Sequence, residues 1–214
     1  MNLHRGAAIA LVGWYLMVPV SSLAATAKPK LLTYTNKAYG FSFRYPSDWT
    51  LKEGENANLI WGYLGDVQTN LRQGITIAAV VTPKNSYKGM WAFFNVSVDS
   101  SLSAIDCNEV DRRDPDDPDF EEFEESRREA LQRVGPLKLT ETESASAGLG
   151  HSWCARYYHV YRNHACYEFQ QGEGVIGDTN VDYQVVFRRL DAILATVTIR
   201  ATTIAPLPSQ GRVK

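Results

Sequence analysis

The chain has 214 residues and a mass of 24.0 kDa, enough for one domain that buries roughly 70% of its unfolded surface without help from a metal. Hydrophobic residues make up 44% and charged residues 21% of the chain, which excludes a disordered or collagen-like protein. The formal net charge of −2 gives no general reason to bind nucleic acid or an anionic membrane surface.

Residues 1–27 have the composition of a secretory signal peptide. Arg5 supplies a positive start, an uncharged apolar run covers 7–20, and small-x-small triplets end at Ala24 and Ala27. The run is shorter than the ~20 residues that span a bilayer core, so a cleaved leader is favoured over an uncleaved anchor. We therefore expect an exported protein, periplasmic or extracellular, with no stable membrane span after processing.

Three cysteines, Cys107, Cys154 and Cys166, lie in the part of the chain that is expected to be exported. In an oxidising compartment one pair should form a disulfide and leave one thiol over. Cys154 and Cys166 fall on one predicted hairpin, and a turn centred on Asn163 sets them beyond the Cα separation of about 7 Å that a disulfide tolerates. We predict the disulfide Cys107–Cys166.

Strand patterns dominate the chain. Short apolar or alternating runs predict strands at 31–35, 41–45, 49–52, 59–64, 75–82, 92–98 and 137–143, and a hairpin at 152–161 and 165–169. The adjacent rings of Phe93 and Phe94, and of Tyr157 and Tyr158, point to opposite faces of their strands. We therefore expect both faces of the sheet to be covered.

Two helices are predicted. The acidic segment 106–125 holds eleven acids against two arginines, and Asp117 followed by Pro118 is a favourable start for a helix that ends at Gly135 and Pro136. A second apolar stripe at helical spacing predicts the last helix; its members are Val186, Leu190, Ile193, Leu194 and Val197. The pattern predicts one α+β domain at 28–204, an antiparallel β-sheet covered by helices, and a flexible tail at 205–214.

Residues 34–49 read YTNKAYGFSFRYPSDW, and this stretch resembles the opening of PsbP-like domains, with Gly-Phe-Ser-Phe, an aromatic-Pro pair and a Trp. Residues 190–197 are similar to the last helix of that family running into a short strand. The resemblance implies an α-β-α sandwich around an antiparallel sheet. Because known members include a photosystem II subunit, a Ran-binding protein and exported bacterial proteins, it also favours a binding or accessory role over catalysis. It transfers no functional residue to this chain.

Asp111, Asp114, Asp116 and Asp117 bring several oxygens together within seven residues, and oxygen is the ligand that calcium prefers. The segment lacks the twelve-residue loop with a central glycine and a closing glutamate. A solvated acidic surface is the better interpretation.

Histidines near two cysteines raise the question of a transition-metal site. Even numbering places Cys154, His164 and Cys166 on one predicted sheet face and His159 on the other. Because no closely spaced ligand pair is present, these side chains are interpreted as structural. We assign no metal and no cofactor.

Motifs for catalysis are incomplete. The sequence Gly150-His151-Ser152 lacks the following glycine of a nucleophile elbow. The sequence Gly172-Glu173-Gly174 lacks the lysine of a phosphate loop and is interpreted as a turn. We assign no catalytic residue.

The favoured function is an exported, non-enzymatic binding or accessory protein of PsbP-like type, with an envelope protein as partner. One alternative is a secreted hydrolase or metal-dependent enzyme that uses His151, His159 or Glu168, which requires these side chains to meet within hydrogen-bond reach. The other is a carrier that holds a small apolar ligand between sheet and helix.

Overall fold

The computed structural model describes residues 29–58, 60–61, 65–66, 69–71, 73–83, 89–110, 130–134, 137–148, 150–177 and 183–204. The predicted leader, residues 111–125 of the acidic segment and the predicted tail lie outside this part of the chain. The described strands are β1 (Leu31–Asn36), β2 (Phe41–Pro46), β3 (Thr50–Glu53), β4 (Ile60–Trp61), β5 (Gly65–Asp66), β6 (Ile75–Val81), β7 (Met90–Asp99), β8 (Ala130–Val134), β9 (Leu137–Gly148), β10 (His151–Arg162), β11 (Ala165–Ile176) and β12 (Thr198–Ile199). The helices are a 3₁₀ turn at Gly54–Ala57, α1 (Ala104–Asn108) and α2 (Tyr183–Leu194).

Seven strands form one antiparallel sheet in the order β3-β6-β7-β11-β10-β9-β8. At its centre is the predicted hairpin of β10 and β11, which pair along their whole length. Asn163 and His164 connect them with φ angles of 51° and 58°. Two positive φ values in a two-residue loop are typical of a type I′ turn, whose twist matches that of the strands it joins.

The main core lies on one face of this sheet, against α2 and the small sheet β1-β2-β12. Phe43 of the small sheet packs on Phe94 with 5.3 Å between ring centroids, and Phe94 packs on Phe169 at 6.3 Å. Each of these rings is at most 1% exposed, and burying such a ring contributes roughly 2–3 kcal/mol. These three rings fill the space between the large sheet and the small sheet in this part of the core.

α2 contributes one apolar stripe to this core. Val186, Leu190 and Ile193 are at most 2% exposed, and their spacing places them on one face of the helix. The predicted continuation of the helix to Val197 is wrong, because α2 ends at Leu194. Val197 is nevertheless buried in the segment that follows.

The opposite face of the sheet has a separate, smaller cover. Phe93 lies there with Ala57 of the 3₁₀ turn, while the neighbouring Phe94 belongs to the main core. Both rings are fully buried. The prediction that adjacent rings occupy two covered faces is confirmed.

A disulfide fastens α1 to this second face. The predicted pair Cys107–Cys166 is the pair present, with 5.4 Å between the Cα atoms and 59 residues of separation. A loop of that length corresponds to roughly 4 kcal/mol of stabilisation through the entropy of the unfolded chain. Cys154 remains a free thiol.

Residues near the two ends of the described chain meet at the small sheet. Strand β12 pairs with β2 through Thr198 and Ser42, and the Arg200 N–H donates to the Gly40 carbonyl at 2.8 Å. Gly40 has a φ of 68°, and a Cβ there would lie 2.8 Å from the Arg200 oxygen. Asn163 at the tip of the central hairpin also donates its side-chain N–H to the Arg200 carbonyl, at 2.9 Å.

The predicted fold class, an α+β sandwich with helices covering the sheet, is wrong: the described residues are mainly antiparallel β-strands. Residues 130–134, predicted as the end of a helix, form β8 and pair with β9 from Val134↔Leu137 onward. Gly135 and Pro136, interpreted as a helix stop, lie outside the described residues. The helix was predicted from a stripe of four apolar residues, Phe120, Phe123, Leu131 and Val134. Only Leu131 and Val134 fall in the described part of the chain, where they belong to β8.

Candidate functional site

The register of the central hairpin decides which side chains meet. With a turn centred on Asn163, Cys154 would face residue 172; the two-residue turn instead pairs Cys154 with Glu173 and Cys166 with Tyr161. This shift by one residue moves a whole strand's side chains to the other face. The predicted common face for Cys154 and Cys166 is therefore wrong, and His159 shares the face of Cys166.

His159 and Glu168 lie opposite each other on the second face and form a buried pair. The His159 Nε2 atom is 2.9 Å from Glu168 Oε2, and the two side chains are 2% and 0% exposed. Glu168 also accepts hydrogen bonds from the Thr69 hydroxyl at 2.7 Å and the Asn70 N–H at 3.2 Å. Donors surround this carboxylate, which anchors the 69–71 segment to the sheet.

The buried polar row continues along the same face. The Asn95 side chain donates to Gln170 Oε1 at 2.9 Å, and Asp99 accepts from the Gln73 N–H at 3.0 Å and the Ser101 hydroxyl at 2.6 Å. Buried polar groups are usually hydrogen-bonded, but Asn95 Oδ1 and Gln170 Nε2 have no partner among the described residues. The row attaches irregular segments to the sheet.

The residues of the enzyme alternative are gathered only in part. His159 and Glu168 come within hydrogen-bond distance, but both are buried away from solvent. His151 pairs with Ile176 at the other end of the hairpin, eight residues along the strand and therefore about 26 Å from His159.

The metal alternatives have no support in the described part of the chain. No group of three His, Cys, Asp or Glu side chains there has a metal-binding arrangement. His164 lies in the hairpin turn. The aspartates considered for calcium, Asp111, Asp114, Asp116 and Asp117, lie outside the described residues.

A cavity of about 230 Å³ opens at the other end of the hairpin, away from the turn. Its lining residues come from both strands: Ser152, Trp153, Cys154, Glu173, Gly174 and Val175. Four of the six belong to the side that carries the main core, since Cys154 and Glu173 face each other there. We take this cavity as the candidate site.

Glu173 is the charged group of the cavity wall. Its side chain is 3% exposed, and its Oε2 atom has no hydrogen-bond partner among the described residues. Burial raises the pKa of Glu173 to about 7; Arg156 opposes this shift and Glu143 adds to it. A buried carboxylate oxygen without a donor costs free energy, and Glu173 is a residue of the cavity wall.

Arg156 is the cation beside Glu173, and other groups already hold it. Its Nε atom is 3.4 Å from Glu143 Oε2 and its NH1 atom 4.0 Å from Asp191 Oδ1. Its guanidinium stacks 4.2 Å from the Phe187 ring centroid. The two carboxylates are about half exposed, so Arg156 balances only part of the local negative charge.

Cys154 is a poor nucleophile in this setting. Burial raises its pKa to about 12, and the carboxylates of Glu143 and Glu173 add to the shift. Its Sγ atom lies 3.8 Å from Glu143 Oε1. Because the thiolate is the reactive form of cysteine, the thiol stays neutral and unreactive near neutral pH.

The sequence interpretation missed Glu173, because Gly172-Glu173-Gly174 was taken as a turn. That prediction is wrong: all three residues belong to β11. A Cβ at Gly172 would lie 2.2 Å from the Phe93 ring, so this glycine makes room for a ring on the neighbouring strand. Glu173 could have been found from its pairing with Cys154 in the hairpin. Predicting that pairing requires the number of residues in the turn.

In the described residues, no helix combines the length and the apolar character that crossing a bilayer requires. No protein-family model matches the chain, and no curated protein matches it.

Several solved structures have a similar backbone path at low sequence identity. A protein from Bacteroides thetaiotaomicron is 15% identical with a TM-score of 0.44, and the match covers 81% of this chain and 49% of that one. LpqN, described as involved in cell envelope biogenesis of Mycobacterium tuberculosis, is 10% identical with a TM-score of 0.42, and 79% and 90% are covered. Cyanobacterial PsbP (CyanoP) from Synechocystis is 10% identical with a TM-score of 0.37, and 86% and 100% are covered.

The chain spans about half the length of the Bacteroides protein. At these sequence identities and TM-scores, the similarity concerns the backbone path and says nothing about activity. The function therefore has to be argued from the residues of this chain.

Proposed function

We propose that this chain is an exported, non-catalytic binding protein with an accessory role in the cell envelope, and that it holds its ligand in the cavity beside Glu173. The observation that carries the proposal is that the cavity is lined by Glu173, a buried side chain with one carboxylate oxygen that lacks a donor among the described residues. A PsbP-like fold, a leader at 1–27 and a single domain at 28–204 belong to the same proposal.

Two observations support export. The disulfide Cys107–Cys166 is typical of proteins that mature in an oxidising compartment. The sequence of residues 1–27 supplies the charged start, the apolar run and the small-residue triplets of a signal peptide.

Two observations favour binding over catalysis. The Cys154 thiol is held in its neutral form by a raised pKa, and His159 is buried against a Glu168 carboxylate that already accepts hydrogen bonds from Thr69 and Asn70. A general base or nucleophile must reach the atom that reacts. Glu173, in contrast, borders open space.

Native mass spectrometry of the protein purified from the exported fraction tests this proposal. We expect the chain without its leader, one disulfide, and an added mass that is lost on denaturation. The Glu173→Gln variant, purified in parallel, should lack the added mass. If neither protein carries an added mass, or if the purified protein turns over a substrate, the proposal is overturned.

A further inference from the structure

The cavity is lined by a glutamate with an unused hydrogen-bond acceptor. The Glu173 side chain is only 3% exposed, and its Oε2 atom has no donor among the described residues. On the same strand, Glu168 shows what a satisfied carboxylate looks like, since it has three donors within 3.2 Å. The missing partner of Glu173 is therefore a hydrogen-bond donor.

The local charge favours a positive donor. Four carboxylates share the one cation, Arg156, that the described contacts bring to this cluster: Glu141, Glu143, Glu173 and Asp191. An anion would meet net negative charge, and like charges at short distance in a partly buried site repel strongly. A bound cation would neutralise the Glu173 carboxylate in place of the proton that the side chain carries when the cavity is empty.

The ligand geometry excludes the common divalent cations at this cluster. Calcium needs six to eight oxygen ligands and zinc four ligands, and no group of three ligating side chains converges in the described residues. An organic cation needs only one buried carboxylate and an apolar contact, which Val175 provides on the same face as Glu173.

The size of the cavity limits the ligand. At about 230 Å³ it is below the range of roughly 300–1,000 Å³ of pockets that hold a drug-sized molecule. It fits one short alkyl chain with a polar head. That head is either part of a small free amine or the end of a lysine side chain of a partner.

We propose that the cavity binds a primary alkylammonium group, whose N–H groups donate to the Glu173 carboxylate while the alkyl chain contacts Val175. This inference rests on the proposed binding function and deepens it by naming the chemistry of the ligand. When the ammonium binds, protonated Glu173 releases its proton to the buffer and pairs with the cation as a carboxylate.

Isothermal titration with n-butylamine tests the inference directly, with n-butanol as the neutral and butyrate as the anionic probe. We expect saturable binding of butylamine alone. Because Glu173 has a pKa of about 7 in the empty cavity and an alkylamine stays charged up to about pH 10, the affinity should rise about tenfold from pH 6 to pH 8. The other titratable groups that act on Glu173 are Cys154, Arg156 and Glu143. On the same face, Glu141, Tyr158 and Asp191 act on Arg156.

Glu173→Gln should weaken butylamine binding at least tenfold and remove the pH dependence. The matched control is Glu55→Gln, an exposed glutamate in the 3₁₀ turn, which should bind like the wild type. If Glu173→Gln does not fold, the carboxyl resonance of Glu173 in the wild-type protein serves instead, because butylamine should lower its pKa. Equal binding by wild type and Glu173→Gln, or butyrate binding as well as butylamine, would overturn the inference.

A second arm distinguishes the two sources of the ammonium group. Nα-acetyl-lysine methylamide should bind at least as tightly as butylamine if the natural ligand is a lysine side chain, and more weakly if it is a free amine. The proposed binding function can survive failure of this inference: an exported protein that carries a bound mass lost in Glu173→Gln, yet binds no amine, refutes only the ammonium chemistry. Absence of both refutes both.

Discussion

β11 carries two buried glutamates five residues apart, Glu168 and Glu173, and an odd spacing places them on opposite faces of the sheet. Glu168 is held by His159 and by donors from the 69–71 segment. Glu173 borders a cavity and has an oxygen without a donor. The same residue type therefore serves structure on one face and supplies a binding group on the other.

Glu168→Gln should destabilise the fold. The substitution leaves His159 buried without its charged partner and replaces one acceptor oxygen by a donor facing Thr69 and Asn70. Removing one member of a buried pair costs about 3 kcal/mol in the free energy of unfolding, measured by urea denaturation. The exposed control Glu55→Gln should change it by less than about 0.5 kcal/mol; similar stability of the two variants would contradict the structural role of Glu168.

Glu173 should make stability depend on pH. Its pKa in the folded state is raised from 4.5 to about 7, so between these values the folded protein binds more protons than the unfolded chain. The free energy of unfolding contributed by this group therefore falls as pH rises from about 4.5 to 7. Relative to wild type, Glu173→Gln should gain stability over that interval in unfolding measurements at pH 5 and pH 7.5; a constant difference would contradict the raised pKa.

At the scale of the secondary-structure elements, the hairpin shows how much of the structure can be predicted from the sequence. The alternating residues and the turn around Asn163 predict β10 and β11, because period-two alternation and a residue tolerant of positive φ are local properties. The pairing of Cys154 with Glu173 depends on whether the turn has two or three residues, because one extra residue moves the side chains of one strand to the other face of the sheet. The candidate site was missed because the sequence does not specify this number.

At β8, in contrast, the sequence pattern predicted the wrong type of element. Leu131 and Val134 fit both a helix and a strand, and only the pairing with β9 decides between them. Such pairing is a contact between segments that the local pattern does not encode. The fold class was predicted wrongly at this point, whereas the stripe of α2 was long enough to predict a helix from sequence.

Gly172→Ala tests the packing between β11 and β7. The added methyl group would lie 2.2 Å from the Phe93 ring, and overpacking of this kind costs about 1–3 kcal/mol. In a Phe93→Leu background the cost should be smaller, because the smaller side chain leaves room. A thermal unfolding series of the four proteins measures this, and the same cost in both backgrounds would show that the ring is not the cause.

At the scale of the whole molecule, the disulfide connects α1 to the centre of the large sheet. Cys107→Ser should lower the free energy of unfolding by roughly 4 kcal/mol, the value for a closed loop of this length. Cys154→Ser is the matched control and should have a small effect, since Cys154 is a free thiol. Urea denaturation without reductant compares the three proteins, and a Cys107→Ser variant as stable as wild type would exclude a stabilising role for the disulfide.

The small sheet joins residues near both ends of the described chain: Ser42 and Thr198 are 156 positions apart, and Gly40 bonds Arg200. A ribosome or a translocation channel releases the chain progressively, so β2 emerges long before its partner β12. Contacts of such high sequence separation form late. The pairing that completes the small sheet over the main core therefore has to wait until β12 has emerged.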